Sequence, residues 1–434
     1  MKCDACGIES DFKAGFINER KSFSKSRRTL CANCWRRRHH TFEGWNQVSI
    51  LAAGIVGYVL FWLDPSSVVG RFLTTFFLLN IFLILSIVPH ELGHAIAARL
   101  VGWRVFAVVI GLGKQVFKFR VAEIIYSFHW LPVAGVTRVA PTDARWFRVK
   151  RFIVFSAGLV VNAAIAGIIL LIWSEAWHDF GFWGLPRLAR LCLWANLYIL
   201  VFNLWPRQSK ALGMATDGKQ LLKTFSKKKE DIDKLLAARF VLEAMVRRDE
   251  YKDSAGALDW CRKGLAAFPS NVHLLNMTGV LCLDGGDYRG ARQIFCQLLS
   301  GEVDQKGIRF VILNNIAYTD ALLGDTELLS EADEYSKEAY AGAPWVPFIV
   351  GTRGTVLVAM GQLEPGIKML KEALEKVPLP RNKAENACHL AMAHFRLGKP
   401  EEAGKYLKLA KQLDAECRLI KRTEAEQQKN EAVT

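Results

Sequence analysis

Four long apolar runs, at residues 48–63, 72–100, 152–173 and 188–205, dominate the first half of the chain. A helix needs about 20 mostly apolar residues to cross a ~30 Å hydrocarbon core. The second and third runs therefore predict membrane-spanning helices, and the shorter first and fourth sit near the lower limit. Between the second and third runs the period changes. Residues 105–139 are rich in β-branched and aromatic residues and include alternating stretches such as Val116-Phe117-Lys118-Phe119-Arg120, which predicts strands. An open strand edge is not tolerated against lipid, so this segment is expected in the interface, in a protein-lined groove, or paired with something, an unwound substrate strand included. From about residue 235 to 420 the pattern becomes that of charged amphipathic helices, broken after Gly286, Gly324, Gly361 and Gly398 at spacings of 38, 37 and 37. The predicted architecture is mainly α: a polytopic α-helical membrane domain with a small β segment, followed by an α-solenoid of helical hairpins.

Charge orients the membrane part. Arg27, Arg28, Arg36, Arg37 and Arg38 precede the first run, and Arg99, Arg104, Lys114, Lys118 and Arg120 lie at or beyond the end of the second. Lys150 and Arg151 open the third run, and Lys210, Lys219 and Lys227 to Lys229 follow the fourth, whereas residues 64–70 and 175–184 lack Lys and Arg apart from their flanks. The positive-inside rule places the basic clusters in the cytosol, giving four crossings with both termini cytoplasmic. The chain carries 57 Lys and Arg against 42 Asp and Glu, a net charge of +15, which attraction to anionic head groups accounts for without specific nucleic-acid binding. No secretory leader pattern precedes the first run, so residues 1–40 are expected to stay in the cytosol, and the plasma membrane is the expected location.

The ten cysteines are uneven. Cys3-x-x-Cys6 and Cys31-x-x-Cys34 are two knuckle pairs, the arrangement four thiolates need around one structural zinc ion. A redox dithiol requires only one such pair. Residues 1–42 are too few to fold on apolar burial alone, so an N-terminal zinc ribbon stabilised by its metal is expected. The segments thus expected are the ribbon at 1–42, the membrane domain at 43–230 and the repeats at 235–420.

His90-Glu91-Leu92-Gly93-His94 ends the charge-free stretch 72–88. On a helix, residues four apart share a face, so His90 and His94 reach one metal ion while Glu91 points at the adjacent water. Zinc in that position lowers a water's pKa toward ~7 and the glutamate takes its proton. Three ionisable residues at bilayer depth cost roughly 2.5–3.5 kcal/mol each on insertion scales, so they need a metal, a partner or a cavity. A catalytic zinc site wants a third protein ligand, and Asp217, cytoplasmic after the fourth run, is the preferred one over Asp143 and Glu123.

In this order along the chain, Pro89 to His94, Gly111-Leu112-Gly113, Trp130-Leu131-Pro132-Val133-Ala134-Gly135-Val136, Gly158 with Asn162, Asn203-x-x-Pro206 and Asp217-Gly218 resemble the site-2 protease family of intramembrane zinc metalloproteases. Leu159 departs from the Pro common there, Thr216 stands where Leu is usual, and the interval from Pro206 to Asp217 is longer. The resemblance implies that Glu91 is the general base, that His90, His94 and Asp217 hold zinc, and that Asn162 or Asn203 bonds substrate backbone or the developing oxyanion. Interhelical bonding is the alternative role for both asparagines. The repeats resemble tetratricopeptide repeats, which stack hairpins and present a surface for protein partners.

The expected function is hydrolysis of membrane-spanning or membrane-associated substrates near the cytosolic face, with one catalytic and one structural Zn2+, and with ribbon and repeats controlling access or recruiting partners. The alternative is a non-catalytic membrane scaffold, which has no physical need for His90, Glu91, His94 and Asp217 together. A metal transporter is expected to show polar ligands on several crossings, and the first run offers none.

Overall fold

The computed structural model describes residues 2–6, 8–9, 16–20, 27–173, 185–208, 215–301 and 306–433. The expected outer loop at 175–184 and Lys210 lie outside the described residues, as do the side chains of Arg27, Arg28, Arg36, Arg37 and Arg38. The chain forms two compact units, one from Arg36–Leu242 and one from Met1–Trp35 together with Glu243–Thr434.

The first of these units opens with α1 (Ala32–Leu63) and α2 (Val68–Leu100). The Ser67 hydroxyl caps α2 by accepting from Gly70 N at 3.2 Å, and Gly57 of α1 lies so close to α2 that a Cβ there would stand 2.7 Å from Thr74 N. Strands β3 (Arg104–Val121) and β4 (Ile124–Ala140) follow, joined by Ala122 and Glu123 at φ 48° and 63°, the left-handed pair that a two-residue hairpin turn demands. Both strands bend. The register runs from Arg104↔Ala140 to Ile110↔Gly135, then shifts around Gly111 (φ 95°) and resumes at Phe117↔Phe128. Next come α3 (Phe147–Trp173), α4 (Leu185–Leu204), the short α5 (Asp217–Phe225) and α6 (Lys229–Glu250), which begins here and runs into the other unit. Helices α2, α3 and α4 pack on one another, and β4 lies against α2. Trp103, Val105, Val108, Ile110, Phe147 and Val154 are buried together where strands and helices meet.

Among the described residues three helices are long and apolar enough to cross a membrane: Val68–Leu100, Phe147–Ile172 and Arg187–Leu204. The run at 48–63, the fourth expected crossing, forms the last part of α1 and falls among the shorter apolar helices, in keeping with a length near the lower limit for spanning.

The other unit holds the antiparallel β1 (Phe16–Arg20) and β2 (Arg27–Cys31), paired from Phe16↔Cys31 to Arg20↔Arg27, and a series of helical hairpins. The hairpins are built from α7 (Ser254–Ala267), α8 (Val272–Asp284), α9 (Tyr288–Ser300), α10 (Lys306–Leu323), α11 (Thr326–Gly342), α12 (Pro347–Ala359), α13 (Leu363–Lys376), α14 (Pro380–Arg396), α15 (Pro400–Leu413) and α16 (Leu419–Val433). Gly286, Gly324, Gly361 and Gly398 all take φ between 67° and 84°, which explains their even spacing: each ends one helix in the left-handed conformation before the next begins. Asp253, Asn271, Asp287 and Asp325 cap the helices that follow them. Phe295, Ile312, Ile316, Ala391 and Leu419 lie in the shared core. Cys3, Leu30 and Cys31 are buried in one cluster with Leu313, Ala339, Ala343, Trp345 and Ile349, so the N-terminal hairpin is packed on α10–α12 despite the long stretch of chain between them.

Candidate metal and active site

The last turns of α2 carry His90, Glu91 and His94, all buried. Their helix has α3 on one side and β4 on the other, and each neighbour supplies what the site requires. His94 Nδ1 donates to the carbonyl of Val154 at 2.6 Å, and His90 Nδ1 donates to the amide oxygen of Asn162 at 2.5 Å. With both Nδ1 atoms bonded this way, both Nε2 atoms are bare and point to one spot. Asp217, the first residue of α5, brings its carboxylate to the same spot: Oδ2 is 3.0 Å from His90 Nε2 and 3.3 Å from His94 Nε2, and the two nitrogens are 3.3 Å apart.

Those three separations test whether the residues fit zinc. A tetrahedral ion with bonds of about 2.0–2.1 Å sets its ligands about 3.3–3.4 Å apart, and two imidazoles with a carboxylate are an ordinary zinc donor set. The residues fit. Gly158 of α3 faces the same point, where a Cβ would stand 2.5 Å from His94 Nε2 and 2.7 Å from His90 Nε2, so only glycine leaves the metal position clear.

Asp217 reaches the histidines because the interval before it is pinned. Thr216 Oγ1 donates to Trp205 O at 2.7 Å and accepts from Arg207 N at 3.0 Å, while Gln208 and Ala215 form a bridge, so the ends of the long interval meet at the end of α4. A Cβ at Gly218 would collide with the Leu204 carbonyl, and Arg151 of α3 holds Gln220 of α5 at 2.6 Å. The threonine that replaces the usual leucine thus closes the loop whose length it accompanies.

Glu91 sits beside the ligands with its carboxylate toward β4. Thr137 Oγ1 lies 2.7 Å from Glu91 Oε2 and 2.9 Å from Glu91 O, and a Cβ on Gly135 would stand 2.5 Å from Glu91 Oε1. Asn162 is fully buried, and both ends of its amide are taken: the oxygen by His90, and the nitrogen by Asn196 Oδ1 at 2.7 Å and Ser86 O at 3.5 Å. Asn196 of α4 in turn donates to Ser86 Oγ at 3.1 Å and Cys192 O at 2.9 Å. This chain of amides ties α2, α3 and α4 together behind His90.

The remaining expected residues have other partners. Asn203 donates to Ile199 O of its own helix at 3.2 Å. Glu123 pairs with Arg104 at 2.8 Å and Asp143 with Lys150 at 2.9 Å, so neither alternative third ligand joins the histidines. The sequence reading did not single out Thr137 or Asn196. A signal existed for the first, since Gly135 and Thr137 are two apart on a strand and share a face; for Asn196 it was only a polar residue inside an apolar run.

A second cluster is formed by the Sγ atoms of Cys3, Cys6, Cys31 and Cys34, which all lie within 4.8 Å of one another. Cys31 N donates to Cys3 Sγ at 3.2 Å and Cys6 Sγ lies 3.8 Å from Cys31 Sγ. Against burial, which raises it, main-chain N–H groups of Cys31, Ala5 and Cys6 lower the Cys3 thiol to about 6, whereas burial raises the thiols of Cys31 and Cys34. Four thiolates in this arrangement fit a structural zinc.

Residues 77–289 match the sequence profile of peptidase family M50, and residues 384–417, which fall on α14 and α15, match that of the tetratricopeptide repeat. The chain is 36% identical over 73 residues to the regulator of sigma-W protease RasP of Bacillus subtilis, which covers 17% of each chain. It is 33% identical over 81 residues to the zinc metalloprotease RasP of Geobacillus kaustophilus, 19% of each. It spans 32% of the length of the zinc metalloprotease homologue FN1322 of Fusobacterium nucleatum, at 34% identity over 110 residues, so less than a third of that relative is represented. Of solved structures, the tetratricopeptide protein TTC0263 of Thermus thermophilus is 18% identical, with a TM-score of 0.36, covering 44% of this chain and 98% of that one.

Proposed function

From the match of residues 77–289 to the profile of peptidase family M50 we propose that the protein is an integral-membrane zinc metallopeptidase that hydrolyses membrane-spanning or membrane-associated substrates near the cytosolic face. The observation that carries the reading is the mutual separation of His90 Nε2, His94 Nε2 and Asp217 Oδ2, each within 3.0–3.3 Å of the others, beside a buried carboxylate. Zinc, when bound to these three side chains, supplies Lewis-acid polarisation of the scissile carbonyl. Glu91 accepts a proton from the attacking water and returns it to the leaving amine. Asn162 orients His90. Burial of the whole constellation strengthens its electrostatics by excluding bulk water.

We place the ribbon (1–42) and the repeats (235–420) with the chain termini in the cytosol of a plasma membrane, the ribbon holding a structural zinc and the repeats engaging protein partners. The basic flanks of the apolar runs support this orientation.

The test compares membrane-protein fragments in host cells carrying wild type or Glu91→Gln, which removes the base and leaves the ligands. A membrane protein that accumulates uncut only with the variant, both versions being equally abundant and zinc-loaded, establishes the protease and names its substrate. Identical fragment patterns across growth conditions would point to a scaffold that keeps the fold without the reaction.

A further inference from the structure

Glu91 is buried, yet the only hydrogen-bond donor to its carboxylate among the described residues is the Thr137 hydroxyl, at 2.7 Å from Oε2. A buried carboxylate with no donor is costly, and one with several is fixed in place but poorly able to take a proton. A single neutral hydroxyl lies between these extremes.

The backbone of β4 builds this contact. Thr137 pairs with Val108 and Gly135 with Ile110 in the inner half of the hairpin, so both positions are set by main-chain bonds. Being two apart on the strand, they face α2 together. Gly135 offers no side chain, and the Oε1 atom occupies the space where its Cβ would be. Thr137 takes the other oxygen. The two carboxylate oxygens therefore have different surroundings, Oε2 bonded and Oε1 against bare backbone.

We propose that Thr137 is a positioning residue for the general base: its hydroxyl, through Oε2, fixes the Glu91 rotamer beside the ligand histidines. The inference rests on the metallopeptidase reading above. The same hydroxyl lies 2.9 Å from Glu91 O, so Thr137 meets both the main chain and the side chain of the base. Apolar Val fills the same volume as Thr and removes only the hydroxyl, which makes the contact separable from packing.

The experiment uses full-length protein in vesicles of phosphatidylethanolamine and phosphatidylglycerol, with a synthetic transmembrane peptide carrying a fluorophore and quencher as probe. Wild type, Thr137→Val, Thr137→Ser and Glu91→Gln are compared for kcat, KM and zinc content. Infrared difference spectra against Glu91→Gln isolate the Glu91 carboxylate band. The expected result is a kcat about 10- to 100-fold lower in Thr137→Val, with KM and zinc unchanged, recovery to within about threefold in Thr137→Ser, and a shifted carboxylate band only in the Val variant. Wild-type rate in Thr137→Val, loss of zinc, or a Ser variant as slow as the Val variant overturns the proposal. If wild type and Glu91→Gln leave the probe equally uncut, the peptidase reading loses support, and the band alone decides whether Thr137 holds the carboxylate.

Discussion

His90 and His94 are competent as ligands only because something else holds each Nδ1. For His94 that partner is a main-chain carbonyl, which mutation cannot remove; for His90 it is Asn162, whose orientation depends on Asn196. An amide can turn over, and Asn196 determines which end faces the imidazole by accepting from the Asn162 nitrogen. Asn196→Leu is therefore expected to weaken zinc binding about 10- to 100-fold while leaving the helices in place, as read by competition with a chromophoric chelator. Residues of this kind were poorly legible in advance. The His90–His94 pair announces itself because helical spacing alone puts both on one face, and Asp217 follows from the order of motifs. Thr137 and Asn196 act through the register of a hairpin and the rotation of α4 about its axis, which a local pattern does not encode. Asn203, prominent in the pattern, bonds its own helix through its amide nitrogen.

Among the elements, α5 has the largest task for its size. It brings the Asp217 carboxylate to the two histidines from a short helix after α4, and its start is fixed by the Thr216 hydroxyl rather than by a compact loop. Thr216→Val removes a donor and an acceptor bond at constant volume, a loss of about 0.5–1.5 kcal/mol for each bond. Zinc dissociation is expected to quicken by roughly tenfold, measurable by transfer to an excess of chelator. The hairpin turns of the repeats were fully legible, because positive φ selects glycine at each helix end. The first apolar run forms the end of α1, a helix of 32 residues, and its apolar length was already legible as the shortest of the four.

At the scale of the molecule, the repeat unit buries charge as well as apolar surface. His389 lies 3.4 Å from the Tyr318 hydroxyl and is pushed down from 6.5 to about 3, by burial first and then by Arg422, Arg418 and Arg396. The unfolded chain takes up that proton below 6.5 and the folded chain does not, so this group's contribution is complete above 6.5 and is lost as the pH falls toward 3. Between pH 7 and pH 5 the loss is about 2 kcal/mol. Asp320 acts in the opposite sense, since burial raises it to about 6 against the pull of Arg292, and its preference for the proton favours the fold as the pH drops. The readout is consequently a difference: relative to wild type, His389→Gln should lose less stability on acidification, in denaturant titrations at pH 7 and pH 5. An identical pH dependence in the two proteins would show that His389 is not held neutral.

Cys3 and Cys31 share one buried cluster with Trp345 and Ile349. At about 5–20 residues per second, the ribosome makes the first knuckle some 15–60 seconds before it makes the helix that covers it. The apolar runs between them are synthesised in that interval, so the cluster around Cys3 and Cys31 is complete only in a chain translated well past them.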